Sequence, residues 1–283
     1  MSLRTAILTL IAMLAFAGNS LLCRLALKDG QIDAASFTAI RILSGAAVLA
    51  VLVYLRGAKP LAAGSWRSAI ALFIYAAGFS FAYLGLSAAT GALLLFGAVQ
   101  ATMMVYGFWR GERFNGWQGL GLVLASAGLL MLLLPGLVAP SPTHGLLMAS
   151  AGIAWGVYSL RARGAGDPTA ATAGNFVRAA VLAAAMGLAL LPWAEFTWRG
   201  LACALASGAL TSGVGYVIWY SALQGLAATT AASVQLSVPV LATLGGVLLL
   251  SEPVTSQLIY ASAALLGGLG VVKRTGRRGN VKK

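Results

Sequence analysis

Residues 34–54 read AASFTAIRILSGAAVLAVLVY, an almost unbroken apolar stretch in which Arg41 is the only charged side chain. About 20 apolar residues are enough for a helix to cross the hydrocarbon core of a membrane. The stretch is followed by Arg56-Gly57-Ala58-Lys59-Pro60, which is charged and contains helix-breaking residues. This combination of an apolar run and a short polar break predicts one membrane-spanning helix.

The same pattern recurs along the whole chain. Of the 283 residues, 60% are hydrophobic and 9% are charged, and the mean hydropathy is +0.89, whereas soluble domains carry about 25% charged residues. The runs are continuously apolar and lack the period of two that a β-barrel strand shows, so the fold class expected is an all-α integral membrane protein with ten transmembrane helices. The predicted helices span residues 5–23, 34–54, 68–87, 90–108, 117–134, 145–162, 169–191, 200–223, 227–250 and 256–272.

The first apolar run has a second possible interpretation. Arg4, an apolar stretch and Ala15-Phe16-Ala17 are together typical of a cleaved signal peptide. However, the run continues to Leu22, and the context Phe16-Ala17-Gly18 recurs internally as Ala154-Trp155-Gly156. We therefore expect a retained transmembrane helix here.

The positions of Lys and Arg predict the orientation. Most of the 19 basic residues fall in the amino-terminal segment, in alternate loops that include Arg56 and Lys59, and in the tail at residues 273–283. Positive loops are retained in the cytoplasm, so both termini are expected to face the cytoplasm of a bacterial inner membrane. The net charge of +13 then reflects topology and contact with the anionic lipid bilayer. No aromatic-interleaved basic patch indicates a nucleic-acid partner.

Several features of the chain occur twice. Gly18 corresponds to Gly156, Arg41 to Arg178, and Glu112 to Glu252, with 137 to 140 residues between partners. Since each copy would hold five helices, an odd number, the second copy is expected to be inverted in the membrane. The predicted domains are a first repeat at residues 1–136, an inverted repeat at 137–272 and a basic cytoplasmic tail at 273–283. Inverted repeats commonly work by alternating access, with the substrate site at the repeat interface.

On these residues the sequence resembles the EamA-type branch of the drug/metabolite transporter superfamily, and within it the YddG-like amino-acid exporters. The resemblance rests on Trp155-Gly156, on Arg41 and Arg178, and on the turns at Glu112 and Glu252. It implies ten helices around a central cavity and export of amino acids from the cytoplasm. It also implies that helices 5 and 10 lie at the periphery, where a homodimer would form. No cofactor is expected.

Polar and aromatic side chains within the apolar helices are the candidate substrate-binding residues. Amides can hydrogen-bond the amino or carboxyl group of a solute, and aromatic faces can pack on its apolar part or hold an ammonium group. Alternatively, the amides join neighbouring helices and the rings anchor the protein at the membrane surface. The candidates are Asn19, Tyr75, Phe79, Tyr83, Gln100, Trp155, Tyr158, Asn175, Tyr216, Trp219 and Gln235.

Arg41 and Arg178 complete the candidate set because they are strong charges inside predicted helices. Ionisable groups within a membrane are functional candidates by default, and either arginine could meet a substrate carboxylate. The alternative is that both snorkel or bind carbonyl groups at neighbouring helix ends and fix the packing of the repeats. Both interpretations remain open from the sequence.

The six acidic residues all fall in loops or at helix ends. A proton relay or a cation site usually depends on a buried acid, so this distribution argues against the mechanism of the small multidrug exchangers. Amides and rings without acids suit a neutral or zwitterionic solute. His144, the only histidine, lies at the membrane edge, where a structural role and a role in proton coupling both remain possible.

Other classes of protein fit the sequence less well. One histidine and the separated Cys23 and Cys203 supply neither a nucleophile with its base nor a metal cluster, so the chain is not expected to be an enzyme or to bind a metal. The two cysteines could form a disulfide or remain buried thiols. We therefore predict a transporter that exports aromatic or other neutral amino acids and related small metabolites. A drug or multidrug exporter, or a flippase for a lipid-linked substrate, is the alternative on the same fold.

Overall fold

The computed structural model describes residues 2–109, 116–133, 141–162, 166–226 and 234–279. The turn that contains Arg110, Glu112 and Arg113 lies outside these residues, so the prediction that Glu112 corresponds to Glu252 is not addressed by the structure. Besides a short 3-10 helix at Leu191–Trp193, the described part of the chain forms ten longer helices: α1 (Leu3–Lys28), α2 (Ala34–Leu55), α3 (Trp66–Ala82), α4 (Ala88–Trp109), α5 (Gly116–Leu133), α6 (Pro142–Ala162), α7 (Pro168–Ala189), α8 (Trp198–Leu223), α9 (Ser237–Leu250) and α10 (Ser256–Gly279).

The all-α class predicted from the sequence is confirmed for the described residues, which contain helices and no strand beyond an isolated bridge between Ile32 and Phe196. Five helices, α1, α2, α4, α7 and α8, are long and apolar enough to cross a membrane. α3 and α9 are apolar but shorter. The protein is therefore a multi-pass membrane protein.

Four helix ends differ from the sequence prediction by five or more residues. α10 continues past the predicted residue 272 to Gly279, so the helix extends into the predicted basic tail. α1 continues past residue 23 to Lys28, because Arg24 and Lys28 bind Glu252 and the carbonyl of Leu250 at the end of α9 and do not lie in a hydrated loop. α3 ends at Ala82 and not at residue 87, since the chain turns there and Gly85 packs against the ring of His144. α9 begins at Ser237, with Pro239 in its first turn, where a proline costs no hydrogen bond. The predicted start at residue 227 lies outside the described residues.

Helix packing joins the first five helices to the last five. α2 packs on α7, α4 on α9, and α5 on α10. α3 packs on α6 and α7, α4 on α6, and α1 on α8 and α9, while α2 also contacts α8. The core consequently lies between helices of different halves of the chain.

The contact between α2 and α8 is unusually close because glycines face each other across it. A Cβ atom on Gly45 would lie 3.0 Å from the carbonyl oxygen of Gly208 and 2.7 Å from the ring of Phe176. A Cβ atom on Gly208 would overlap the carbonyl oxygen of Arg41. Small residues allow this approach, which brings the backbone of Arg41 against α8.

We expect Gly208→Ala to lower the free energy of unfolding by about 1 to 3 kcal/mol, because the added methyl group meets backbone atoms that cannot move aside. Thermal unfolding of the purified protein in detergent would measure the change. Gly267→Ala is the matched control, since a Cβ atom at Gly267 meets nothing within 4 Å. Equal unfolding midpoints for the two variants would contradict the close contact of α2 with α8.

The two ends of the helix bundle are built differently. At one end, here called the Glu252 end, the turns that follow α1, α3, α7 and α9 meet: Arg24 contacts Glu252 and the carbonyl of Tyr83, and Asp33 bonds the backbone of Glu195. At the opposite end, called the Arg161 end, the turn between α2 and α3 lies against α6 and α7.

Candidate functional site

A small cavity lies in the middle of the bundle, between the two ends. Its volume is about 10 Å³, which is roughly the space that one water molecule needs. The helices are therefore closed around it. Five of the sequence-predicted candidates line it together with four residues that the sequence analysis missed: the lining is Phe16, Asn19, Ser20, Tyr75, Phe79, Leu95, Phe96, Trp155 and Tyr216.

Trp155 of α6 is at the centre of the aromatic cluster that closes this cavity. Its ring centroid lies 4.8 Å from that of Tyr75, 4.9 Å from that of Tyr216 and 5.5 Å from that of Tyr158. Phe16 packs edge-on against Trp155 at 6.0 Å. Such tilted and edge-on pairs stabilise one another beyond the burial of their surface. The rings thus form a packed aromatic cluster around the central cavity.

Trp219, another candidate, joins the same cluster through Phe16, with centroids 5.8 Å apart. The ring of Phe176, which the sequence analysis missed, packs on Tyr216 at 5.7 Å. Phe16 and Phe176 were overlooked because a phenylalanine in an apolar run looks the same whether it faces lipid or a cavity.

Arg41 lies beside the cluster and is 2% exposed. Its Nη2 donates to the hydroxyl of Tyr75 at 3.0 Å, and its Nε donates to Ser212 Oγ at 3.2 Å. The guanidinium carbon lies 4.9 Å from the ring centroid of Phe79 and 5.2 Å from that of Tyr75, a geometry typical of cation–π contact. Arg41 is therefore a charge held inside the bundle by aromatic faces and hydroxyl groups.

Asn19 continues this polar network onto α8. Its Nδ2 donates to the hydroxyl of Tyr75 at 3.3 Å, and its Oδ1 accepts from Ser207 Oγ at 2.6 Å and from Thr211 Oγ1 at 3.3 Å. Residues Ser207–Val214 of α8 form a π-helical stretch, a departure from regular geometry that is frequent at functional sites. The sequence analysis missed this stretch, whose only sequence sign is the small and polar run Ser207-Gly208-Ala209-Leu210-Thr211-Ser212.

Arg178 has different surroundings from Arg41, although both occupy corresponding places in the predicted repeats. Its Nη1 donates to the carbonyl oxygens of Ala63 at 2.8 Å and Gly174 at 2.9 Å, and its Nη2 donates to that of Leu61 at 3.3 Å. These are the carbonyl contacts that the packing interpretation predicts. The contacts of Arg178 hold the turn between α2 and α3 on α7.

A second cavity, here called the vestibule, lies at the Arg161 end and has a volume of about 200 Å³. Its lining includes Ser65, Ser68, Tyr158, Arg161 and Asn175. Arg161 is exposed, so the vestibule reaches the surface at this end. Because Tyr158 contacts Trp155, these two rings separate the vestibule from the central cavity.

Asn175 and Arg161 organise the mouth of the vestibule. Asn175 Oδ1 accepts from the backbone N–H of Ser65 at 2.8 Å, and Arg161 Nε donates to Ser68 Oγ at 3.0 Å. Both contacts tie the start of α3 to the second half of the chain. Of these residues only Asn175 was a candidate from the sequence, because serines in a loop and an arginine at a helix end carry no pattern of their own.

The Glu252 end is closed by an ion pair. Arg24 Nε donates to Glu252 Oε1 at 2.9 Å, and the backbone N–H of Ala88 donates to Glu252 Oε2 at 2.8 Å. The carboxylate therefore also caps the amino terminus of α4, where a negative charge is favoured. Glu252 is 8% exposed. We call Arg24, Glu252 and the Ala88 N–H the end lock.

The local sequence places Glu252 in this position. Ser251 adopts a left-handed conformation with φ of 52°, which ends α9, and Pro253 prevents the helix from continuing. The sequence analysis located Glu252 at a helix end but assigned it no partner. Tyr83 also lies here, with its hydroxyl donating to the carbonyl of Ala88 at 3.4 Å.

The other candidates lie apart from these sites. Gln100 and Gln235 are buried, but the linings of the central cavity and of the vestibule do not include them.

Cys23 and Cys203 are free thiols. His144 Nδ1 is hydrogen-bonded to Ser141 Oγ at 2.5 Å. Within the described ranges, no group of three or more His, Cys, Asp or Glu side chains is placed to hold a metal ion.

An all-helical bundle with several membrane spans and a closed internal cavity between its two ends has the architecture of a membrane transporter. The model of the EamA-like transporter family matches residues 144–273. The "Uncharacterized protein PA1977" of Pseudomonas aeruginosa is 59% identical to this chain over 271 residues, which cover 95% of this chain and 94% of that protein. Residues 144–273 therefore carry an EamA-like transporter domain, which indicates a membrane transporter of small solutes.

A solved structure supports the fold. The fold of this chain is similar to that of a protein of known crystal structure. The two align with a TM-score of 0.65 over 94% of this chain and 98% of the other chain, at 22% sequence identity. At this identity the similarity concerns the fold alone.

Proposed function

We propose that this protein exports aromatic or other neutral amino acids by alternating access, like the YddG-like exporters that its sequence resembles. The observation that carries the proposal is the closed central cavity. It lies between the Glu252 end, which the end lock closes, and the vestibule, which reaches the surface at the Arg161 end. A solute would enter through the vestibule, part the rings around Trp155 and leave after the end lock opens.

The packing of the helices supports ten spans arranged as two inverted repeats. In an inverted repeat, α1 to α5 correspond to α6 to α10 in the same order, and the two-fold axis exchanges the partners. Under this exchange the contact α3–α6 corresponds to α8–α1, α4–α6 corresponds to α9–α1, and α3–α7 corresponds to α8–α2. All these pairs are in contact. The pairs α2–α7, α4–α9 and α5–α10 map onto themselves and are also in contact. This is the pattern that a two-fold axis between the repeats produces.

The charge of the two ends supports a cytoplasmic vestibule. Arg56 and Arg161 lie at the Arg161 end, in keeping with the retention of positive loops on the cytoplasmic side. At the Glu252 end, Arg24 is paired with a carboxylate and Lys28 donates to the carbonyl of Leu250 at 3.1 Å. A solute in the vestibule would then come from the cytoplasm, and transport towards the Glu252 end is export.

The chemistry of the central cavity supports a small zwitterionic solute. Its lining combines aromatic faces with the amide of Asn19 and has no acidic side chain. Aromatic faces suit an apolar side chain or an ammonium group, and the amide suits a polar head group. A drug or lipid-linked substrate is the alternative. The apolar groove of about 250 Å³ beside Pro239 and Leu258 would suit a lipid chain, but its lining holds no charged side chain for a head group.

Efflux from proteoliposomes tests the proposal. Vesicles that contain the purified protein are preloaded with labelled neutral, aromatic and charged amino acids, and the loss of label is followed with and without a pH gradient. We expect at least one neutral or aromatic amino acid to leave faster than from protein-free vesicles. Equal rates for every amino acid in vesicles with and without protein would contradict amino-acid export and favour the alternative substrates.

A further inference from the structure

We propose that Arg41 binds the carboxylate group of the transported solute and that Tyr216 completes this carboxylate site. The inference rests on the proposed transport function and names the chemical group that the central cavity recognises. It assigns different roles to the two arginines that the repeats place in corresponding positions.

The first observation is an unused donor on a buried charge. Arg41 is 2% exposed, and its Nη1 has no hydrogen-bond partner among the described residues. Its other guanidinium nitrogens donate only to the neutral hydroxyl groups of Tyr75 and Ser212. Buried charges are normally paired, and a charge within a membrane usually marks a functional site. A guanidinium with a free N–H edge is suited to an anionic group, above all to a planar carboxylate.

The second observation is where the chain's own acids lie. Asp29 ends α1, Asp33 and Asp167 cap α2 and α7, and Glu195 lies in an exposed turn. Glu252 is taken by Arg24 and the N–H of Ala88. Within the described residues, therefore, no carboxylate is placed to neutralise Arg41. The negative charge that suits this site is expected to arrive with the solute.

The third observation is a second unpartnered donor, and this one lies in the wall of the central cavity. The hydroxyl of Tyr216 is buried and, like Arg41 Nη1, has no hydrogen-bond partner in the described part of the chain. Tyr216 lines the central cavity. Arg41 lies behind the lining residues Tyr75 and Phe79, and its Nε donates to Ser212, four residues before Tyr216 on α8. A carboxylate has two oxygens, so one can accept from Arg41 Nη1 and the other from the Tyr216 hydroxyl. The surrounding rings then receive the apolar part of the solute.

The small volume of the cavity fits this assignment. With about 10 Å³ of space, the site holds no solute until the rings move apart. In the closed empty protein the faces of Phe79 and Tyr75 lie over the guanidinium and partly compensate its charge. These contacts stabilise the empty closed form, and a carboxylate would replace them in the loaded form.

The inference is tested by comparing how carboxylic acids and their carboxamides bind to the full-length protein in detergent. Alanine, leucine and phenylalanine are compared with their carboxamides, and 3-phenylpropionate is added as an acid without an amino group. Binding is measured by the shift of the unfolding midpoint over a concentration series. We expect at least one acid to bind about 10- to 100-fold more tightly than its amide, as a charge-assisted hydrogen bond provides.

Three variants separate the roles of the side chains. Arg41→Gln is expected to abolish the preference for the acid, whereas Arg178→Gln, whose parent side chain is satisfied by backbone carbonyls, keeps it. Tyr216→Phe keeps the ring but removes a hydroxyl without a partner. Without ligand, we therefore expect Tyr216→Phe to unfold at the same temperature as the wild-type protein or at a higher one. We expect this variant to bind the acid about 3- to 10-fold more weakly than the wild-type protein does.

The outcomes distinguish this inference from the proposed function. If 3-phenylpropionate binds through Arg41 but no amino acid does, the carboxylate site stands and amino-acid export fails. If amino acids and their amides bind equally well, and Arg41→Gln changes neither, the carboxylate site is overturned while amino-acid export stands. The inference is also overturned if the wild-type protein binds no acid more tightly than the corresponding amide. The same holds if none of the compounds binds.

Discussion

Replacing Glu252 with glutamine is expected to open the Glu252 end and to raise the rate at which Cys23 reacts with N-ethylmaleimide by about 30-fold. Cys23 is fully buried and precedes Arg24 in α1. Because a buried thiol reacts only when its surroundings open, the rate reports the fraction of open protein. The chain has two cysteines, so the measurement uses a Cys203→Ser background.

The expected size follows from the contacts of Glu252. Its carboxylate neutralises Arg24 and caps α4, and both partners lose a charged acceptor in the variant. Removing one member of a fully buried ion pair costs about 3 to 5 kcal/mol. Arg24 is 15% exposed on its side chain, so we expect a smaller loss of about 2 kcal/mol, which corresponds to roughly 30-fold in the ratio of open to closed protein.

Two controls make this result specific. Glu195→Gln removes a charge at the same end from an exposed side chain and is expected to leave the labelling rate unchanged. The double variant Arg24→Gln, Glu252→Gln removes both charges and is expected to label more slowly than Glu252→Gln alone, because no buried charge is left unpaired. Unchanged labelling of Cys23 in Glu252→Gln would show that the ion pair does not keep this end closed.

Replacing Trp155 with alanine is expected to reduce efflux at low solute concentration by about 30-fold or more. Truncating an aromatic side chain at the centre of a binding site commonly costs about 2 kcal/mol or more. Trp155 lines the central cavity and contacts the rings of Tyr75, Tyr158 and Tyr216. The alanine variant loses the indole ring on which these three tyrosine rings pack. The rate of efflux from proteoliposomes measures the effect on transport.

Stability must be followed in the same experiment, because the alanine variant also leaves a hole in the core. A change from Trp to Ala in a protein core costs about 3 to 5 kcal/mol of folding free energy. Trp155→Phe keeps an aromatic face, so it is expected to remain folded and to keep part of the activity. Trp198→Ala removes a tryptophan that is 75% exposed and should change neither property. Wild-type efflux in a folded Trp155→Ala variant would exclude this cavity from the pathway.

The all-α class and most membrane runs could be predicted from local sequence. An apolar stretch near 20 residues long has few stable conformations in lipid other than a helix, so residues 34–54 were sufficient to predict α2. Helix ends were less accurate where charged residues have distant partners. Arg24 and Lys28 look like loop residues in the sequence, yet both belong to α1 because their charges bind groups at the end of α9 and in the turn that follows it.

The central cavity could be predicted in part. Asn19, Tyr75, Trp155 and Tyr216 stood out because polar or amphipathic groups are uncommon in apolar helices, and all four line the cavity. The π-helical stretch of α8 was not predicted, since Ser207 and Thr211 are small and resemble ordinary helix-packing residues.

The amino-acid sequence by itself determined that this chain is helical, that it lies in a membrane and that its two halves carry corresponding features, because length, hydropathy and spacing are local properties. Only the tertiary structure decided how Arg41 and Arg178 differ. Arg178 reaches the carbonyl groups of a turn, whereas Arg41, drawn against α8 by Gly45 and Gly208, keeps a donor without a partner. The tertiary structure likewise paired Arg24 with Glu252, which lie 228 positions apart, because the energy of a charge depends on its neighbours in space and not on its neighbours in the chain.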